Sequence, residues 1–410
     1  MVIYRVKEGD TVAAIARRQG VLPIRLCDLN GIDPDTPPVA GQALVIDGGG
    51  RCYYVREGDS LRDIAARHRI PLPSLMRMNP ALMSGEELYT GMTLTLENAE
   101  APRDAVTVLG YAPSDTEAAA LRPILPYLTY LALTGATADG EGRLLTVEDA
   151  DAVAEARRAG VVPILCVSPA TGLREERILE NLPTDTLADA VCTHVRRRGY
   201  GGVLVDMPLA LNAMHRAYTA LLLRLRRSLG HGMAVLGTIS PLALPRDGRI
   251  LASLGRAASG LVLCGYDFAS RYGAPSPESP YDRVKEALGA IKGCVRPQKL
   301  LLGLSTRAED FSVHGGEGRV YAARDIPELA KQNGGAIAYD PVGRVPYLAY
   351  RDTEGDRIVF FEDAESICEK LSLCGDEGIG GIALFPAVNT AQPILSALAT
   401  TFSVIRPYGR

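Results

Sequence analysis

The sequence predicts an α/β chain: a (β/α)8 TIM barrel with a small α+β insertion before its last strand, preceded by two small βααβ modules. Three observations predict it. A nine-residue pattern near the N-terminus recurs about one small module later; eight short apolar runs alternate with helical stretches after residue 103; and strand-like alternation interrupts that rhythm just before the eighth run. The expected boundaries are 2–47 and 52–97 for the modules, 103–410 for the barrel and 335–362 for the β-rich insertion.

The repeat comes first. Tyr4-Arg5-Val6-Lys7-Glu8-Gly9-Asp10-Thr11-Val12 recurs as Tyr53-Tyr54-Val55-Arg56-Glu57-Gly58-Asp59-Ser60-Leu61. In the same register Leu29-Asn30 matches Met78-Asn79, and the run 41–46 matches 91–96. Thr11 and Ser60 stand where helix N-caps belong, and Asn79-Pro80 reads as a helix stop. The runs 47–50 and 97–103, rich in glycine or in polar residues and proline, read as linkers.

In the barrel the expected strands are 105–110, 127–133, 161–167, 203–206, 233–238, 260–264, 299–304 and 381–385. Helices are expected between most of them, at 147–159, 186–198, 213–229, 281–291 and 364–374. The fourth strand carries the main chemical signal. Val203-Leu204-Val205 is an unbroken apolar run stopped by Asp206, and a charge at the C-terminal end of a barrel strand is where chemistry usually sits. Two residues on stands Pro208, which cannot exchange a side-chain proton.

With 410 residues, 47% hydrophobic and 22% charged, the chain can bury a large core. Its net charge of −4 argues against nucleic acid or an anionic membrane as partner. The basic runs at Arg196-Arg197-Arg198 and at Arg224, Arg226 and Arg227 read as solvated helix faces. No window supplies a membrane span, and the N-terminus enters the first repeat at once. The chain is therefore expected to be made in the cytoplasm without a signal peptide. Cys27, Cys52, Cys166, Cys192, Cys264, Cys294, Cys368 and Cys374 form no C-x-x-C pair, and those on apolar runs read as buried, reduced thiols. His68, His194, His215, His231 and His314 make no metal-spaced pair, so no metal and no cofactor are expected.

The repeats resemble LysM modules, which bind glycans built on N-acetylglucosamine in a shallow groove between the loop after the first strand and the loop before the last. The resemblance places Gly9, Asp10, Thr11 and Asn30 on one groove, and Gly58, Asp59, Ser60, Asn79 and Pro80 on the other. The first copy lacks a proline after Asn30. Asp10, Thr11, Asp59 and Ser60 have a second reading as helix-capping residues.

The barrel resembles glycoside hydrolase family 18, in the branch that joins LysM modules to a barrel in spore-forming bacteria and contains cortex-lytic N-acetylglucosaminidases. The resemblance rests on Leu109-Gly110-Tyr111, the run 127–132, Cys264-Gly265-Tyr266-Asp267, the run 299–304, Phe361-Glu362-Asp363 and Gly380-Gly381-Ile382. The family motif Asp-Gly-x-Asp-x-Asp-x-Glu ends in the general acid, while the substrate's own acetamide is the nucleophile. Aligned on the fourth strand, it puts Gly201 and Leu204 at the first two acidic positions, Asp206 at the acetamide-orienting third, and Pro208 at the acid. Phe385 stands where this branch commonly has a tryptophan floor, and the loop 305–309 lacks the family's aromatic-glycine character.

On the resemblance, Tyr111, Tyr266, Asp267 and Phe385 are carbohydrate-binding candidates. Tyr111 and Tyr130 also read as barrel core, and Asp206 as a carboxylate that holds backbone. The implied function is binding of peptidoglycan or another N-acetylglucosamine glycan at the spore coat, cortex or cell wall, by a degenerate, non-hydrolytic barrel with LysM docking. Spore coat or cortex proteins are further implied partners. The alternative is an active N-acetylglucosaminidase or chitinase-like hydrolase with a displaced acid, for which Asp267 and Glu362 are the positional candidates. A barrel that serves as a scaffold for another coat protein is the third reading.

Overall fold

The computed structural model describes residues 1–47, 52–83, 87–90, 92–96, 104–170, 183–208, 214–269, 273–315 and 317–406. Both expected linkers and the run 209–213 after Pro208 lie wholly or mostly outside them.

Each module is a two-stranded antiparallel sheet carrying two short helices. Val2–Arg5 pairs with Ala43–Ile46, and Cys52–Tyr54 with Thr93–Thr95. The helices are Val12–Gln19 and Pro23–Asn30 in the first copy, Leu61–His68 and Leu72–Met78 in the second. Each copy has its own small core, built on Ile15, Leu26 and Leu44 in one and on Ile64, Leu75 and Leu94 in the other.

Eight parallel strands close the barrel: Asp104–Pro113, Tyr130–Ala138, Val162–Pro169, Gly202–Val205, Ala234–Ile239, Gly260–Leu263, Leu300–Ser305 and Gly381–Phe385, with the eighth paired back to the first. All eight expected strands are present. On the fourth, Val203 and Val205 pack outward against the helices, whereas Leu204 packs inward with Leu109, Ile164, Leu236 and Val262. Side chains alternate along a strand, so Asp206 follows Leu204 onto the luminal side at the strand's C-terminal end. Cys166 and Cys264 are buried free thiols in the lumen and at its rim.

Between the seventh and eighth strands sits a five-stranded antiparallel sheet, in the order 319–322, 307–312, 355–361, 345–352, 337–340, with the helix Ile326–Gln332 against it. The insertion begins earlier than the expected 335, because Arg307–Ser312, whose first three residues fall in the expected loop 305–309, is an interior strand of the sheet, paired with 319–322 on one side and with 355–361 on the other. Buried Asp310 hid the strand: its carboxylate sits where alternation calls for an apolar side chain. The fold tolerates the charge because Arg357, itself buried, pairs with it at 2.8 Å and Tyr350 donates a hydrogen bond at 3.0 Å.

The first module is docked on the barrel and the insertion. Val39 enters the insertion's core, the Ile337 N–H donates to the Ala40 carbonyl at 2.9 Å, and the Ser396 hydroxyl donates to the Leu29 carbonyl at 2.7 Å. Gly41 allows the close approach: its φ is +82°, and a Cβ there would stand 1.8 Å from the Ile337 carbonyl oxygen. Arg5 lies 4.3 Å over the Tyr339 ring and pairs with Glu365. The second module meets the barrel through Arg77, which donates to the Pro126 carbonyl at 2.6 Å. Among the described residues no helix is long and apolar enough to cross a membrane.

Candidate active site and glycan grooves

The module loops are built identically. Gly9 and Gly58 have φ of +78° and +80°, the left-handed turn that releases each chain from its first strand into a helix. Just after the turn, the Tyr4 hydroxyl and the Lys7 N–H donate to Asp10 at 2.7 and 2.9 Å; the Tyr53 hydroxyl and the Arg56 N–H donate to Asp59 at the same distances. These hydrogen bonds, the tyrosine's foremost, hold both carboxyls below their usual range, with Arg18 and Arg67 adding to the effect. Thr11 caps the first helix of its module by accepting from the Ala14 N–H, and Ser60 does the same for the Asp63 N–H.

Asn30 and Asn79 take a different place from the one the resemblance gives them. Both are buried. The Asn30 amide donates to the Leu26 and Val45 carbonyls and accepts from the Val45 N–H; Asn79 repeats this with Leu75 and Thr95. Each tethers the end of the second helix to the last strand, and every amide hydrogen is engaged inside the module. Pro80 is buried at the start of a 3-10 turn. Of the residues that the resemblance places on the grooves, Gly9 and Thr11, Gly58 and Ser60 remain exposed.

At the barrel's C-terminal end, Asp206 is tied through its backbone N–H to the Val167 carbonyl at 2.8 Å. Its carboxyl is raised above the usual range by burial, with a hydrogen bond from Thr238 opposing. Thr238 is itself held by Tyr218, whose hydroxyl accepts from the Thr238 N–H at 2.8 Å and sits 3.0 Å from the Val205 carbonyl. Pro208 is half-buried and its carbonyl accepts from the Ser240 N–H at 3.0 Å. Pro208 therefore offers an engaged backbone acceptor and no side-chain proton.

Asp267, after the sixth strand, is a second perturbed carboxyl. Burial pushes it up to about 6; Ser240 opposes by hydrogen bonding, and the Asp206 and Glu278 charges add to the rise. Arg307 faces this acidic group, pairing with Glu278 at 2.8 Å and with Glu309 at 3.6 Å.

The aromatic candidates form one cluster. The rings of Tyr266 and Phe385 are stacked with centroids 5.1 Å apart, Tyr111 meets Phe385 edge-on at 5.3 Å, and the Arg307 guanidinium lies 5.0 Å over the Phe385 ring. Phe385 is thus engaged by the protein itself. The Tyr111 hydroxyl is buried without a hydrogen-bond partner among the described residues, in the field of Asp206.

Glu362 lies away from this cluster, where it builds the frame. It accepts from the Lys370 ammonium at 2.8 Å and from the Ser366 hydroxyl at 2.6 Å, and both it and Lys370 are buried. Sequence reasoning missed Thr238, Ser240, Glu278 and Arg307. Thr238 and Ser240 lie at the end of the fifth strand, where the same strand-end rule that marked Asp206 could have found them; Glu278 lies in irregular chain and carried no signal.

Comparison with known proteins agrees with this architecture. The LysM domain model matches residues 4–47 and 53–97, and the model of glycosyl hydrolases family 18 matches residues 181–388. A cortical fragment-lytic enzyme of Bacillus anthracis is 27% identical over 93% of this chain and 94% of its own length. One of Bacillus subtilis (strain 168) is 26% identical over 99% of both. The crystal structure of the Bacillus cereus spore cortex-lytic enzyme SleL superposes with a TM-score of 0.79 at 25% identity, covering 99% of both chains.

Proposed function

The chain belongs to glycosyl hydrolases family 18, and from that premise we propose that it binds N-acetylglucosamine-containing wall glycan through its LysM modules while its barrel, lacking the acid, does not hydrolyse it. Peptidoglycan of the spore cortex or cell wall is the glycan class, which the relatives' names as cortical fragment-lytic enzymes support. Association with the spore or wall follows from the same relatives and from the LysM pair.

One observation carries the non-hydrolytic reading: Pro208 at the position of the general acid. Protonation of the leaving oxygen contributes typically ~10²–10⁴-fold, and a pyrrolidine ring supplies none of it. Asp206 retains a place from which a carboxylate can orient an acetamide, so the barrel keeps a feature suited to holding the sugar without the group that cleaves it. The LysM loops offer exposed backbone at Gly9 and Gly58 for sugar contacts.

Two measurements test this. Purified protein is incubated with cortex peptidoglycan and with chitin oligomers while new reducing ends are followed; release abolished by Asp206→Ala overturns the non-hydrolytic reading. Co-sedimentation with insoluble peptidoglycan is expected to weaken when Gly9 and Gly58 are both replaced by valine, and unchanged binding by a folded double variant removes the LysM assignment.

A second reading, hydrolysis with a displaced acid, is favoured by the Asp267 carboxyl near 6, which retains a fraction of its proton at neutral pH. It predicts reducing-end release that falls with rising pH through that value and is lost in Asp267→Asn.

A further inference from the structure

A cleft of about 610 Å³ opens between the first module, the barrel and the insertion, within the size range of small-molecule sites. One wall is the loop 31–38 of the module, part of the loop before its last strand, which the LysM resemblance makes one rim of the glycan groove. The facing walls come from the insertion helix Ile326–Gln332 and from the barrel segments at 120–124 and 389–395, which follow the first and eighth strands. The 389–391 part of them leaves the C-terminal end of the eighth strand, the end of the barrel that carries Asp206, while 120–124 leads from the first strand towards the second.

The chemistry of the lining narrows the ligand. Arg324 and Lys331 offset Asp325 and Glu328 on the insertion side, and on the module side Asp33 adds one carboxylate, which accepts from the Asp35 N–H at 2.8 Å, so the lining carries no strong charge of either sign. Glu362 and Asp363, which also reach the wall, are already paired: Glu362 with Lys370, and Asp363 with the N–H groups of Glu365 and Ser366 at 3.0 and 2.9 Å. What remains is a mixture of stiff CH surface, from Pro37, Pro38, Pro327 and Pro393, and uncharged polar groups such as Thr36 and Asn389. A neutral chain carrying hydroxyls, amides and small apolar faces fits such a surface.

We infer that this cleft is a glycan subsite shared by the first LysM module, the insertion and the barrel, taking the continuation of an N-acetylated amino-sugar chain that leaves the module's groove. The inference rests on the LysM reading above and extends it. The docking of the module makes a shared site workable: the Ala40–Ile337 and Leu29–Ser396 hydrogen bonds and the tight approach at Gly41 fix the two walls relative to each other. A chain held across two fixed walls gains contacts without a second ordering of the protein, so affinity rises with chain length.

The experiment compares N-acetylglucosamine trimer and hexamer binding to the full chain by calorimetry, in the wild type and in two variants that fill the cleft from opposite walls. Ala120→Trp and Lys331→Trp are both at exposed positions, so either can report if the other fails to fold. The expected result is a hexamer bound about tenfold or more tighter than the trimer, with that gain lost in the variants and trimer binding unchanged. Hexamer binding unaffected in a folded variant overturns the subsite and leaves LysM docking standing. Absence of binding by either oligomer to the wild type overturns both.

Discussion

The Asp206 carboxylate adds its field to the burial that pushes the Asp267 carboxyl up to about 6. A folded-state value above the ordinary ~3.9 means that the folded chain holds this proton more tightly than the unfolded chain. The stability it contributes is complete below about pH 4 and is lost as pH rises through about 6. Asp267→Asn, which does not titrate, should therefore be more stable than the wild type at pH 7.5, by on the order of 2 kcal/mol, and the two should converge near pH 4. Urea unfolding at both pH values checks it; a difference independent of pH contradicts the assignment.

Asn79 and Ser60 separate framing from groove residues in the second module. Asn79→Ala leaves the Leu75 and Thr95 carbonyls and the Thr95 N–H without their buried partner, and should cost about 2–4 kcal/mol. Ser60→Ala removes an exposed helix cap and should cost about 1 kcal/mol. Hydrogen exchange within residues 52–96 reads both. Peptidoglycan co-sedimentation below the unfolding temperature should be unchanged in Ser60→Ala if the backbone makes the sugar contacts.

Glu362 and Lys370 test the displaced acid from the other side. Glu362→Ala strands a buried ammonium and should cost about 3–5 kcal/mol, while the double change Glu362→Met with Lys370→Met should recover much of that loss. Any reducing-end release seen in the wild type should persist in the double variant. Its disappearance there would place Glu362 in the chemistry.

The barrel was legible because its strands are buried on both faces and read as continuous apolar runs, as Val203–Val205 does. The modules were legible because two copies confirm each other. The insertion was legible only in its second half, where Tyr347, Phe360 and Phe361 supply β-formers; its first half turns on Asp310 and Arg357, a pairing distant in sequence that no local pattern reveals. In the site, Asp206 stood out as a charge ending an apolar run. Arg307 did not, because its role comes from a sheet strand that brings it over Phe385 and beside Glu278. Asn30 and Asn79 show the converse: a residue recurring in both repeats can recur for the module's frame.

Pro208→Glu is the most direct trial of the proposal that the barrel lacks its general acid. The fourth strand, the Val167 tether of Asp206 and the Thr238 hydrogen bond are in place, so on the proposed reading the substitution adds a proton donor two residues beyond a carboxylate already positioned. Pro208 lies outside the strand ladder, and the hydrogen bond that its carbonyl accepts from the Ser240 N–H is one that a glutamate backbone retains. Reducing-end release from chitin oligomers should rise by about tenfold or more over the wild type, short of the full ~10²–10⁴-fold of a general acid, because Phe385 keeps its own ring partners. A folded Pro208→Glu variant no more active than the wild type would mean that the cleft has lost more than its acid.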